Sequence, residues 1–409
     1  MPDRNHSNHP EFPPEILDAI VDELKSNKHA LIQISLVCRD LYPRTRVHLL
    51  HSVSLSTSAD CDRLHALITL SPKLAIYFKR LHISCREFLL SADHKSLKVI
   101  EPLVNITSLH LESLGFHGPE REFCDSVWAS LCSHSYHDIQ LSNWCFAWMD
   151  EFCALISNST SLYRIETQLV RFPKPECNTY HPRHPTTSPI ELVIDDLTPN
   201  PEVILESAIS PFSCPYSFSR VRFLKIRLGC GDTVFLHRLN KFLDLPSTSL
   251  KNLYIRHFGA SSGTPTTVNM NISRVENLGI RVSNYPESIS ARFAWWITNF
   301  KKVDNHNSIC TITFVIFESN AERERRSPLN SIKSMEAYWS QLDECMASPR
   351  LASLRRVAIV FEGPPLPEWK EAKMLIEGEF PRLKQLGREL ILGRNLDVLT
   401  SEAHRSFLL

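Results

Sequence analysis

Glycine is scarce. There are 11 in 409 residues, the first at Gly115, ~3% against a usual ~7%. Chains that cradle phosphates on glycine-rich loops need more, because only glycine lets the backbone approach so closely. Net charge is missing too. Forty-five Lys and Arg balance 45 Asp and Glu, which removes the electrostatic case for a dedicated nucleic-acid binder. No two of the 12 cysteines are spaced C-x-x-C, so neither a zinc ribbon nor a thioredoxin-type motif is present. No apolar run approaches the ~18 to 20 residues of a membrane span; the densest, Ile309 to Phe317, has nine. Residues 1–11 carry no apolar stretch, hence no signal peptide. The expectation is a cytoplasmic and/or nuclear chain away from membranes, its cysteines reduced and serving as small buried apolar residues. A hydrophobic share of 43% with 22% charged residues fits a globular protein.

What is present falls into two textures. Residues 1–11 read as a disordered tail, and 12–53 as a compact helical module. Pro13 and Pro14 open a first helix, where a missing N–H costs nothing. Ile16, Ile20 and Leu24 lie four apart with Leu17 and Val21 beside them, a wide apolar stripe on a short helix. Ser26-Asn27 offers a cap for a second helix carrying Leu31, Ile34, Val37, Cys38 and Leu41. Pro43 starts a third, with Val47 and Leu50 inward and Arg44, Arg46 and His48 outward. Three short helices expose more apolar surface than they bury among themselves. Either the rest of the chain or a partner protein must cover it.

Residues 54–409 repeat a short pattern, apolar-x-x-apolar-x-apolar. Its middle residues are Leu81, Leu109, Ile139, Leu224, Leu253, Leu278, Ile312 and Val357, with weaker forms at Ile165 and Leu192. Most are 25 to 34 residues apart, and helical patterns stand between them at Glu120 to Cys132, Phe146 to Ser157, Thr233 to Leu243 and Ser288 to Phe300. A strand and a helix repeated at this period is how leucine-rich repeats are built, each unit burying its apolar face on its neighbours. The Asn or Cys of regular leucine-rich repeats is absent at its place every time. The expected fold class is therefore α/β, an irregular leucine-rich-repeat-like solenoid with a mostly parallel, curved sheet. A closed α/β domain is the alternative. Phe172 to Pro189 and Ser319 to Asn330 interrupt the pattern and read as exposed, mobile loops.

No catalytic constellation stands out. Gly229-Cys230-Gly231 follows a strand-like stretch, but Val234 occupies the third glycine place of a dinucleotide fingerprint, and no carboxylate ends the next strand. Cys177, His181 and His184 lack the fourth ligand that a structural zinc site wants. Gly-x-Ser-x-Gly and His-Glu-x-x-His are absent. Asp195 and Asp196 are neighbours on a strand and point to opposite faces. Trp128, Trp144, Trp148, Trp295 and Trp296 lack interleaved basic residues, so core or groove-lining roles are expected. No cofactor, no metal and no nucleic acid are expected.

At the N-terminus the residues carry a resemblance. Phe12-Pro13-Pro14-Glu15-Ile16-Leu17 with Ile20 and Leu24, then Ser35-Leu36-Val37-Cys38-Arg39-Asp40-Leu41 and the run to Val53, resemble an F-box of the type common in mushroom-forming fungi. Phe12 replaces the usual Leu, and Leu41 stands where a large aromatic is common. The resemblance covers about forty residues. It implies a non-catalytic receptor subunit that docks on a Skp-type adaptor and cullin scaffold and holds a protein substrate on the repeats for ubiquitin-dependent degradation. It also implies that Phe12, Pro13, Ile16, Leu17, Ile20, Val37 and Cys38 form or support the adaptor surface. A repeat-type interaction scaffold without ligase association is the alternative.

Overall fold

The computed structural model describes residues 13–37, 39–85, 94–113, 123–172, 188–195, 202–209, 219–229, 233–245, 249–258, 268–283, 286–317, 332–333, 335–362 and 369–394. The chain forms two compact units, residues 1–116 with 120–136, and residues 117–119 with 137–409.

The first unit holds α1 (Pro14–Glu23), α2 (Lys28–Val37), α3 (Tyr42–Leu49), β1 (Ser52–Leu55), α4 (Ser58–Leu70), β2 (Arg80–Ser84), β3 (Ser108–Glu112) and α5 (Asp125–Ser133). The three helices of the module thus belong to the same unit as the first strands. Thr57 opens α4 with a capping box. Its hydroxyl accepts from the Asp60 N–H, and the Asp60 carboxylate accepts from the Thr57 N–H, which satisfies two otherwise orphaned donors. β1, β2 and β3 pair in parallel, with Val53, Leu81 and Leu109 side by side.

The second unit begins with β4 (Asp138–Ser142), α6 (Met149–Ile156), β5 (Arg164–Gln168), β6 (Glu191–Asp195), α7 (Glu202–Ile209), β7 (Phe223–Gly229), α8 (Thr233–Asp244) and β8 (Asn252–Phe258). It continues through β9 (Asn277–Ser283), α9 (Pro286–Lys302), β10 (Thr311–Phe317), α10 (Glu336–Met346), β11 (Arg356–Glu362), α11 (Trp369–Gly378), α12 (Pro381–Gln385) and β12 (Glu389–Arg394). From β4 to β12 the order in the sheet is the order in the chain, and every pairing between neighbours is parallel. A doubly wound sheet would reverse its order at a switch point; none occurs here. The fold is an α/β repeat of solenoid type, and the four helical patterns expected between strands fall on α5, α6, α8 and α9.

The middle residues of the sequence pattern form one ladder. Ile139, Ile165, Leu192, Leu224, Leu253, Leu278, Ile312 and Val357, joined on β12 by Leu390 from outside the pattern, are partners in register across nine strands. All but Leu390 are buried, none of them above 1% exposed. Two residues on, Leu141, Thr167, Ile194, Ile226, Ile255, Ile280, Phe314, Ile359 and Leu392 make a second ladder. Thr167 is its one hydroxyl, fully buried, and donates to the Val193 carbonyl at 3.3 Å. A right-handed crossover between adjacent strands repeated in one direction puts every helix on one face. The ladders line that face: Phe293 of α9 stacks on Phe314 at 5.5 Å between centroids, and Phe300 meets the same ring edge-on.

Backbone hydrogen bonds keep the register. At the head of almost every strand one carbonyl accepts two successive N–H groups from the next repeat. His137 serves Tyr163 and Arg164, Tyr163 serves Ile190 and Glu191, and Ile190 serves Arg222 and Phe223. Arg222, Lys251, Glu276 and Cys310 continue the series, and His51 and Lys79 do the same in the first unit. Where regular repeats use an asparagine after the strand, helix asparagines act here. The Asn240 amide donates to the Asn269 carbonyl and accepts from the Asn271 N–H, and Asn299 accepts from the Met270 N–H at 2.6 Å. Asp343 of α10, 3% exposed, caps α12 by accepting the N–H groups of Arg382 and Leu383.

Two expectations are corrected. Phe172 is not part of an exposed loop. It is buried and stacks on Phe146 at 5.6 Å, with Phe152 edge-on to both, so the core continues one residue beyond the sequence boundary. Residues 173–187, 319–330 and 1–11 lie outside the described residues. Second, the cysteines are not uniformly core. Among the described residues Cys61, Cys85, Cys153 and Cys345 are buried, whereas Cys124, Cys132, Cys145 and Cys310 are only half-buried; none of these eight forms a disulfide. Burial pushes the Cys61 thiol up to about 11. The sheet is also apolar on its second face. Tyr254, Val315, Ala358 and Val360 face away from the ladders and still form a buried cluster, joined by Phe223 and Ile391. β10 and β11 are therefore covered on both faces, which is why Ile309 to Phe317 reads as a dense apolar stretch.

The tryptophans expected in core or groove divide clearly. Trp296 is buried and donates to Nε2 of His257 at 2.9 Å, and Trp295 donates to the Val268 carbonyl. Burial, with Arg292 nearby, pushes the His257 imidazole down to about 3, so it stays neutral and accepts the indole proton.

The ladder makes a direct prediction. Leu224→Ala removes a fully buried side chain in contact on two sides and should cost about 2–5 kcal/mol in urea unfolding. Val234→Ala, 57% exposed on α8, should stay within about 0.5 kcal/mol of wild type. Equal effects would contradict the ladder as the core.

Candidate functional site

The N-terminal helices owe their order to local signals. Pro13 precedes α1 and Pro14 occupies its first turn. Asn27 caps α2 by accepting the Ala30 N–H at 3.0 Å, as the sequence leads one to expect. α3 packs against both α1 and α2. Only Val21, Leu31 and Thr45 are fully buried within the three helices.

α1 and α3 are held by charge. Arg44 grips Asp22 with two bonds, Nε to Oδ1 at 2.7 Å and Nη2 to Oδ2 at 2.5 Å, and His48 Nε2 lies 2.7 Å from Oδ1. Bidentate guanidinium–carboxylate pairing fixes orientation as well as distance. The helical pattern puts Arg44 and His48 outward; both instead turn to Asp22, because a carboxylate one helix away outcompetes water for a fork donor. Arg46 does point out, stacking over the Tyr42 ring at 3.9 Å and donating to its hydroxyl.

This packing leaves an apolar surface in water. Of the fifteen exposed large hydrophobic side chains among the described residues, six lie between Ile16 and Tyr42. Ile16 and Ile20 are each 47% exposed and one turn apart on α1. Ile32 and Leu36 repeat that spacing on α2 at 47% and 78%, with Val37 at 81%. Isolated exposed apolar residues are ordinary; a concentration on two short helices is not. Fully burying a side chain of this size is worth roughly 1.5–3 kcal/mol, so these five, whose exposed parts amount to about three side chains, forgo roughly 5–9 kcal/mol before any cost of association.

The residues expected at an adaptor surface divide as follows. Ile16, Ile20 and Val37 are exposed, Pro13 is exposed at the helix start, and Leu17 is half-buried. Phe12 and Cys38 lie outside the described residues. The sequence reading did not place Ile32 in this surface and gave Leu36 no role in it. The signal is available, since Ile32 and Leu36 stand four apart, one turn along the same side of α2.

The other candidates gain little. β7 ends at Gly229 and α8 starts at Thr233; Cys230 and Gly231 lie outside the described residues. Cys177, His181, His184, Asp196 and residues 322–326 lie outside the described residues. Among the described residues no group of three or more His, Cys, Asp or Glu could hold a metal ion, and no helix is long and apolar enough to cross a membrane. No family model matches the chain, and no curated protein matches it.

The Asp22 contact predicts a pH dependence. Hydrogen bonds first from Arg44 and then from His48 hold its carboxyl well below the usual carboxylate range. A carboxylate lowered by folding contributes stability that is full above its unfolded value of about 3.9 and is lost as pH falls through the folded value. Amide protection of α1 should hold from pH 7 to pH 5 and decline below about pH 4. Asp22→Asn should lower it already at pH 7 and flatten the acid response. Unchanged protection in that variant would remove the contact from the account.

Proposed function

We propose that this chain is a non-catalytic substrate-receptor subunit of a Skp-adaptor, cullin and F-box ubiquitin ligase. The observation that carries the reading is the apolar surface left open by α1 and α2, at the segment that resembles an F-box. Ile16, Ile20 and Val37, with Ile32 and Leu36 added, meet the adaptor; Leu17 supports them from below. The repeat region binds a protein substrate. The mechanism is proximity: tethering raises the effective concentration of a substrate lysine near the charged ubiquitin carrier, and no residue of this chain handles a proton.

Ile16→Asp and Leu36→Asp test it. Both residues are exposed, so the variants keep the fold, while a carboxylate forced into an apolar contact costs several kcal/mol. Co-purification with the adaptor should fall by more than tenfold, which takes only about 1.4 kcal/mol. Leu70→Asp on α4, 86% exposed, should co-purify as wild type does. If wild type itself recruits no adaptor, the ligase reading fails and an interaction scaffold built on the repeats replaces it.

A further inference from the structure

Three strands begin with an arginine: Arg80 on β2, Arg164 on β5 and Arg356 on β11. Two of them are answered by the first residue of the next strand. Glu191 is the register partner of Arg164 and lies 3.4 Å from it, and Glu389 is the partner of Arg356 at 2.6 Å. Arg80 stands instead between Ser52 on β1 and Ser108 on β3. It is exposed, and among the described residues no carboxylate pairs with it. The repeat thus sets an arginine at this corner of the first unit and leaves out the acid that elsewhere goes with it.

More cations gather there. From Arg63 to Arg86 the chain carries five Lys and Arg and no Asp or Glu. The His51 carbonyl accepts the N–H groups of both Lys79 and Arg80 at 2.9 Å, which sets these three residues side by side. Among the described residues no carboxylate pairs with Lys79, and Glu101, the one acid described between β2 and β3, pairs with neither cation. Burial, then Arg80, His48 and Lys79, hold the His51 imidazole below its usual value, as a locally positive field requires. Apolar surface adjoins. The Asn105 amide donates to the Ile76 carbonyl at 3.1 Å and the Thr107 hydroxyl to that of Lys79 at 3.4 Å, so the turns into β2 and β3 run together. Ile76 is 49% exposed in one turn and Val104 68% exposed in the other. Lys73, exposed as well, precedes Ile76 by three residues in the 3-10 turn Pro72–Tyr77 and shares its side.

We propose that this corner binds an acidic, leucine-bearing segment of a protein partner, its carboxylates on Arg80 and Lys79 and its apolar side chains against Ile76 and Val104. A guanidinium fork matches a carboxylate two bonds at a time, and the Ser52 hydroxyl beside Arg80 is a further donor for the same anion. Lys73 lengthens the cationic track past Ile76. A lipid surface is the poorer fit. Two apolar side chains of this size anchor weakly in a bilayer, and Lys79 and Arg80, as neighbours in extended chain, point to opposite sides, which suits a peptide better than a plane. The proposal does not rest on the ligase reading, because it uses none of the residues assigned to the adaptor.

The test uses the full-length protein and fluorescein-labelled peptides read by anisotropy. Glu-Leu-Glu-Asp-Leu-Glu should bind about tenfold more tightly than Gln-Leu-Gln-Asn-Leu-Gln, and its affinity should fall as salt is added. Ser108→Glu supplies the carboxylate that the other two arginines have, and it should erase that preference. Arg80→Gln with Lys79→Gln should erase it as well, with urea unfolding as the check on folding, whereas Lys241→Gln on α8 should keep it. Equal binding of the two peptides to wild type overturns the proposal, and so does a preference that survives both variants. Capture by phosphatidylserine vesicles with no preference between the peptides overturns it in favour of a lipid surface. Because the adaptor is absent from this assay, failure here with the adaptor still recruited removes this site alone. Peptide binding without adaptor recruitment removes the ligase reading alone.

Discussion

Everything in the repeat region depends on keeping one apolar residue of each strand beside the same residue of the next. A slip of one position would turn Leu224 or Leu253 to the other face and bring Lys225 or Tyr254 under the helices. The backbone prevents it. A carbonyl before most strands holds two N–H groups of the following repeat, so the register is reset repeat by repeat instead of drifting. The side chains and the backbone thus specify the same alignment, and agreement across levels is what gives a chain one structure. It also fixes what the other face carries. Once Leu253 and Ile255 are committed to the helices, Arg256 must point the opposite way, beside Arg227 and Arg281.

The helical module follows a different logic. Its three helices are too short to bury themselves, and only Val21, Leu31 and Thr45 reach full burial. A charged clamp from Asp22 to Arg44 and His48 supplies the orientation that a larger core would otherwise supply. Holding helices by a polar contact on one side leaves Ile16, Ile20, Ile32, Leu36 and Val37 free for contact on another. Surface of that kind is retained against its cost in solubility when something covers it.

Most of the fold was legible in the sequence because it rests on a short, repeated pattern. The middle residues from Leu81 to Val357 were identifiable from spacing alone, and even the weak forms at Ile165 and Leu192 took their places in register. Thr167 explains why one form looked weak: a hydroxyl stands where an aliphatic belongs, and a bond to Val193 makes it tolerable. What was not legible depended on contacts between distant segments. Nothing near Arg44 in the chain announces Asp22, and nothing near Phe172 announces its stack on Phe146. The cluster of Tyr254, Val315, Ala358 and Val360 was equally hidden, because alternation predicts which face a residue takes and says nothing of what lies over it. At the candidate site the stripe on α1 was readable. The matching pair on α2 was overlooked because the apolar residues of that helix run nearly all the way round it.

The central claim is that the open side of α1 and α2 is the surface that meets an adaptor. Photo-crosslinking from a benzophenone side chain at position 36, compared with position 70, tests it most directly, since Leu36 and Leu70 are both strongly exposed and only the first lies on that surface. With a Skp-type adaptor present, position 36 should yield a crosslinked complex and position 70 none. A crosslink from position 70 with none from position 36 would contradict the claim.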